Sequence, residues 1–188
     1  MNILTSPLPK KIKIENEIYD INYDYRSIIN ILLAFEDQEL TYEEKIIIML
    51  HNLYKKPIPA QNMEEAIEKA IKFIDCGKIN SSKNEAKRIY SFNKDANYIF
   101  TGINATHHID IEKENDLHWW KFVSLFMDMS SDCMFGELMY YRKRKMEGKL
   151  TKDEQKKYNE IKDLVELEPV HIQSEERKKF FEEFNKSK

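Results

Sequence analysis

Asp116-Leu117-His118-Trp119-Trp120-Lys121-Phe122-Val123-Ser124-Leu125-Phe126-Met127 decides the fold. Asp116 reads as a helix start, because a side-chain carboxylate there can accept from the unpaired N–H groups of the first turn. Beyond it, Trp119, Trp120, Phe122, Val123, Leu125, Phe126 and Met127 put apolar side chains round most of a helical circumference. A helix that is apolar all round is a buried one. The stretch therefore predicts the central helix of a mainly α protein.

Working outward, the flanking segments also show helical periods. Asp95 reads as the start of a helix with Ala96, Ile99, Phe100 and Ile103 inward, and Ser131 or Asp132 as the cap of one with Phe135, Leu138 and Met139 inward. Asn62-Met63-Glu64-Glu65 opens a helix whose Met63, Ala66, Ile67, Ala70, Ile71 and Ile74 form one stripe, with Gly77 at the C′ position that favours glycine. Thr41-Tyr42-Glu43-Glu44 and Thr151-Lys152-Asp153-Glu154 are capping boxes, in which hydroxyl and carboxylate each take an orphan backbone N–H. The first leads to Ile46, Met49, Leu50 and Leu53 and ends before Pro57 and Pro59; the second leads to Tyr158, Ile161, Leu164 and Val165 and ends at Pro169. Asp24 caps a helix carrying Ile28, Ile31, Leu32 and Phe35.

Ahead of these, Ile12 and Ile14 alternate with Lys11, Lys13 and Glu15, and Ile18 to Asn22 resume after Asn16-Glu17. Two short runs with such a link predict a β-hairpin over about residues 10–22. A hairpin alone is marginal in water, so it has to pack on the helices. Residues 76–85 read as a polar loop. Ser174-Glu175-Glu176-Arg177 starts a last charged helix bearing Phe180, Phe181 and Phe184. The expected architecture is a compact multi-helix bundle: a core domain over 1–167 that includes the hairpin, and a charged C-terminal helix over 168–188.

Composition fits that architecture. A chain of 188 residues is about one domain. With 34% charged residues but only 4 Gly and 5 Pro, it favours helices over tight β turns. A net charge of −3 does not suggest a nucleic-acid binder. The charge is uneven, however: residues 142–188 carry 14 Lys/Arg against 11 Asp/Glu, and the sharpest cluster is Arg142-Lys143-Arg144-Lys145. Cations at a helix C-terminus oppose the macrodipole, so this run reads as a helix end, with a phosphate-binding patch as the alternative. The N-terminus is too short and polar for a signal peptide, and the apolar stretch Ile28 to Phe35 is far too short to span a bilayer.

Candidate chemistry is sparse. Gly77, Gly102, Gly136 and Gly148 are isolated, so no glycine-rich phosphate loop or nucleophile elbow exists. Cys76 and Cys133 lack a CxxC partner, which removes zinc-ribbon and thioredoxin-like readings and favours a reduced setting. His107 and His108 are adjacent, hence about 100° apart on a helix, and cannot share a face as metal ligands do; with His118 they read as boundary histidines. Asp20, Asp24, Asp110 and Asp116 each have a strand-end or helix-start role available. Trp119-Trp120 reads either as core or as a binding platform with one indole outward. No catalytic residue, metal ligand or cofactor site is expected. The work expected of the chain is binding, not chemistry.

A set of residues in order carries a resemblance. Leu8-Pro9 precedes Tyr19-Asp20-Ile21-Asn22; Asp24-Tyr25-Arg26 stands in place of Asp-Phe-Arg; then come Ser91-Phe92, Asp95-Ala96, Tyr98-Ile99, Ile109-Asp110-Ile111, Leu117-His118-Trp119-Trp120 and Tyr141-Arg142. In this order they resemble the bacteriophage gene-product-fifteen family over roughly Leu8 to Leu167. The resemblance implies a non-enzymatic tail morphogenesis protein in the host cytoplasm, foremost a tail assembly chaperone. Its implied partners are the tape-measure protein, the major tail tube protein and further copies of itself, with neither membrane nor nucleic acid. A virion connector or tail-completion protein is the alternative. On that view the contact surfaces expected are the outward side of Trp119 and Trp120 and the terminal Phe180, Phe181 and Phe184.

Overall fold

The computed structural model describes residues 3–77 and 88–168. The fold is mainly α with an N-terminal hairpin, as expected. The contacts gather into two units, whose described residues are 3–77 with 116–122, and 88–115 with 123–168.

In the first unit, strands β1 (Lys11–Ile14) and β2 (Glu17–Asp20) pair antiparallel, with Ile12 opposite Tyr19 and Ile14 opposite Glu17. The link is therefore Glu15-Asn16, one residue earlier than Asn16-Glu17, and Glu15 adopts φ +48° to make the turn. The alternation does what its period requires: Ile12, Ile14 and Tyr19 are buried, while the lysines face out. The hairpin does not stand alone. Ile21 bridges Tyr54, and the Asn22 N–H donates to Leu53 O at 2.7 Å.

Three helices follow in this unit. Helix α1 (Tyr25–Glu36) is capped by Asp24, which accepts from the Arg26 N–H, and buries Tyr25, Ile28 and Ile31. Helix α2 (Tyr42–Leu53) has the full Thr41–Glu44 capping box and buries Ile46, Met49 and Leu53. A 3-10 turn at Ala60–Asn62 leads into α3 (Met63–Ile74), which buries Ala66, Ile67, Ala70 and Phe73. Its end departs from expectation by one position. Asp75 is the C-cap, Cys76 takes the left-handed C′ place at φ +55°, and Gly77 follows at φ +75°. The Cys76 N–H donates to Phe73 O and the Gly77 N–H to Lys72 O, which is a Schellman motif with Gly77 at C″.

The second unit holds α4 (Ala96–His107), α6 (Met134–Met146), α7 (Lys152–Glu160) and α8 (Lys162–Val165). Helix α5 (Trp119–Met127) is divided, its residues to Phe122 belonging to the first unit and those from Val123 to the second. It begins after Asp116, which sits in a turn at φ +65° and does not cap it. The expected inward faces are mostly right, with four corrections: Ala96, Phe100, Met127 and Leu164 are exposed, Met127 the most at 72%. Helix α4 turns Ile99, Gly102 and Ile103 inward, which carries Phe100 round to the edge. Neither Ser131 nor Asp132 caps α6; Cys133 does, its Sγ accepting from the Gly136 N–H. The single helix expected to run from Thr151 to Val165 is interrupted at Ile161, and its two pieces bury Tyr158 and Val165 against Leu138 and Tyr141. The charged helix expected over 168–188 lies outside the described residues, apart from Glu168.

Candidate binding groove and the buried signature residues

Ser91, Asp95, His118, Trp119, Trp120 and Arg142 of the family-like motifs turn inward and their polar atoms are consumed there. The His118 ring Nε2 lies 2.9 Å from Pro9 O, and its Nδ1 lies 3.0 Å from the Trp120 backbone nitrogen. A backbone N–H only donates, so Nδ1 is unprotonated and Nε2 carries the hydrogen given to Pro9 O. Burial pulls the His118 pKa down, outweighing the Pro9 bond, so the ring is held neutral.

Trp119 and Trp120 point to different neighbours but do the same job. Their indole N–H groups donate to Ile74 O and Phe73 O, each at 2.8 Å. Those carbonyls belong to the last turn of α3, where intrahelical partners run out. At 4% and 8% exposure neither tryptophan presents the outward face expected of a binding platform. The physical reason is that both indole donors are spent on a helix end inside the fold.

In the second unit Asp95, fully buried, accepts from Arg142 through both carboxylate oxygens and from the Ser91 N–H. The same guanidinium donates to Val165 O, Leu164 O and Ile89 O. Asp95 thus stands at the N-cap position of α4 without capping it. The basic run is split as well. Arg142 is buried and Arg144 pairs with Glu154 at 2.8 Å, which leaves Lys143 and Lys145 as the exposed cations of the four. Glu154, held by Arg144, the Thr151 N–H and Tyr140, is driven down to a pKa of about 2.

The remaining candidates stay apart. His107 is bonded to Leu125 O in the second unit, and His108 ends α4 in the left-handed region. Asp20 pairs with Lys11, Asp24 caps α1, Asp110 pairs with Lys113, and Asp116 accepts from the Tyr23 hydroxyl. Among the described residues no group of three or more His, Cys, Asp or Glu side chains is placed to hold a metal ion. Phe180, Phe181 and Phe184 lie outside the described residues.

What the first unit does offer is an apolar groove of about 700 Å³ along α2. Glu43, Ile47, Leu50 and Tyr54 recur every three or four residues and line one wall, with Ile46 and His51 beside them. Lys55, Lys56, Pro57 and Ile58 turn away from the helix end, and Met63 and Asn22 complete the lining. Tyr54 fixes this end: its hydroxyl donates to Ala66 O at 2.8 Å, and burial pushes the phenol pKa up. Ile47 is 65% exposed at the rim. In the sequence the periodicity of α2 picks out Ile46, Met49, Leu50 and Leu53 as the inward stripe, and Ile47 falls outside it. The usable signal was the run Ile46-Ile47-Ile48, too many apolar residues for one amphipathic face.

A mainly α protein with its signature side chains turned inward and an apolar groove open on one unit is the class that emerges. A family model described as Bacteriophage Gp15 protein matches residues 4–167, and the chain belongs to that family. No curated protein and no solved structure matches it. Among the described residues, no helix is long and apolar enough to cross a membrane.

Proposed function

We propose that this phage protein is a non-enzymatic tail morphogenesis factor, a tail assembly chaperone that holds the tape-measure protein in the host cytoplasm until tube subunits replace it. Family membership supports the phage morphogenesis setting. The observation that carries the binding role is the groove along α2: an apolar, partly open surface with Ile47 exposed at its rim. Extended apolar surface on a soluble protein marks a docking site more often than an accident of packing. A long helical client with exposed apolar stripes aggregates alone, and a groove of this kind receives such a stripe helix-in-groove. Many copies along one client give avidity, while each copy binds weakly enough to be displaced.

The test is co-expression with the tape-measure protein of the same phage. The client is expected to move from the insoluble to the soluble fraction and to co-purify with the chaperone. A client that stays insoluble sinks the reading. The chaperone is also expected to be missing from purified particles by mass spectrometry; recovery there at a fixed copy number would make it a virion connector instead.

A further inference from the structure

We infer that a second copy of this chain occupies the groove, with the two α2 helices packed antiparallel about a two-fold axis. The groove has a charge order. Glu43 stands at the N-terminal end of α2, Lys55 and Lys56 lie just past its C-terminal end, and Ile47 and Leu50 lie between. Among the described residues, Glu43, Lys55 and Lys56 enter no ion pair. A helix seated there must bring basic residues to Glu43, acidic residues to the two lysines, and an apolar stripe to the middle.

Its direction follows from the helix dipole. Acidic side chains are stabilising in a first turn and basic ones near a last turn. An occupant running antiparallel to α2 sets its first turn against Lys55 and Lys56, so the acids the groove needs fall where the occupant's own dipole favours them. A parallel occupant would need both charges at the wrong ends. The occupant so defined, acidic in its first turn, apolar at four- and seven-residue steps, basic just past its end, is the pattern of α2 itself. An interface that matches its own inverted copy is the requirement for an isologous two-fold dimer. In that dimer Glu43 of each chain faces Lys55 and Lys56 of its partner, and Ile47 is covered.

This dimer is the resting form of the protein. A client helix would reach the groove by displacing the second copy, and in that respect the inference rests on the chaperone reading. The two experiments fail independently, because the dimer is measured with no client present.

Sedimentation equilibrium on the full chain should give twice the 22.6 kDa chain mass at micromolar concentration. Ile47→Asp, a change at a rim position, should weaken dimerisation at least about ten-fold, the scale of burying one isoleucine. Glu43→Lys alone and the Lys55→Glu/Lys56→Glu pair alone should each weaken it about five-fold or more at low salt. Mixing those two variants, or combining all three changes in one chain, should restore association. Circular dichroism melts separate this from misfolding, and restoration excludes it. A monomer at every concentration, or a dimer indifferent to these changes, overturns the inference. So does loss in both single-end variants without restoration on mixing.

Discussion

The guanidinium of Arg142 meets both carboxylate oxygens of Asp95, at 2.6 and 2.8 Å, with both side chains buried. Fork-to-fork geometry of this kind is the strong form of the ion pair, and here the remaining donors are also used, on Val165, Leu164 and Ile89 carbonyls. The pair joins the end of α6 to the start of α4 and to the segment that follows α7. Removing one partner leaves the other charge buried and alone. Arg142→Ala is therefore expected to cost about 3–5 kcal/mol in urea unfolding. Replacing both with apolar residues, Asp95→Leu with Arg142→Met, should cost much less. A single-variant loss below about 1 kcal/mol would show that the pair is not structural.

His118 gives the fold a pH dependence with a definite sign. Tyr23 stacks on its ring, Phe73 and Trp120 meet it edge-on, and the nearby charges, Lys10 and Asp116, act in opposite directions. The net effect is a pKa below the ordinary 6.5, with burial as the main cause. Protonation of Nδ1 would also forfeit the Trp120 N–H bond. The unfolded chain binds this proton more readily, so the stabilisation is complete above 6.5 and falls as pH drops towards the folded pKa. Urea midpoints between pH 7.5 and 5 should fall, and His118→Asn, whose amide oxygen can accept in place of Nδ1, should flatten that slope. An unchanged slope in the variant would assign it to other groups.

The helices were legible because their signals are local. Asp24, Thr41 and Thr151 cap where their spacing to the next carboxylate or N–H says they must. At Asp95 and at the tryptophan pair the role escapes a local reading because the side chain is used at long range. Asp95 looks like an N-cap but is committed to Arg142, 47 positions away. Trp119 and Trp120 read equally as core or as a platform with one indole outward, and what decides it is the end of α3, some 45 positions earlier, which both of them close. The groove was missed for the converse reason. One exposed isoleucine is ordinary in a sequence, and it acquires meaning only when residues 55–58 are folded back beside it.

Gly136 is a position where a single methyl group should matter. A Cβ built there would come within 2.5 Å of Ser131 O and 2.9 Å of the same residue's carbonyl carbon, both of them backbone atoms. The turn that brings Cys133 to cap α6 passes directly over the glycine. In a helix interior Gly→Ala ordinarily stabilises; here the clash should reverse the sign. Gly136→Ala is expected to destabilise by about 1–3 kcal/mol, the scale of overpacking. At Gly148, by comparison, nothing lies within 4 Å of the added Cβ but φ is +66°, so alanine there meets backbone strain and no clash. A stabilised Gly136→Ala protein would mean that the turn shifts freely.

The tryptophans and Ile47 should separate stability from assembly. Trp119→Phe and Trp120→Phe keep most of the ring packing; the first leaves Ile74 O with only the long Cys76 thiol contact, and the second leaves Phe73 O with the Cys76 N–H alone. Trp119→Phe should cost about 1–3 kcal/mol, the penalty for a buried group left nearly unpaired, and Trp120→Phe about 0.5–1.5 kcal/mol, the loss of one hydrogen bond at an acceptor that keeps another. Neither touches the groove, so the folded fraction of either variant should associate as the parent does. Ile47→Asp should behave the other way round, with its self-association weakened at least about ten-fold and its melting temperature matching the parent's at concentrations where both are monomeric, because the side chain already faces solvent in the single chain. A Trp120→Phe protein that folds with full stability but no longer associates would move the contact surface to α5 and remove it from α2.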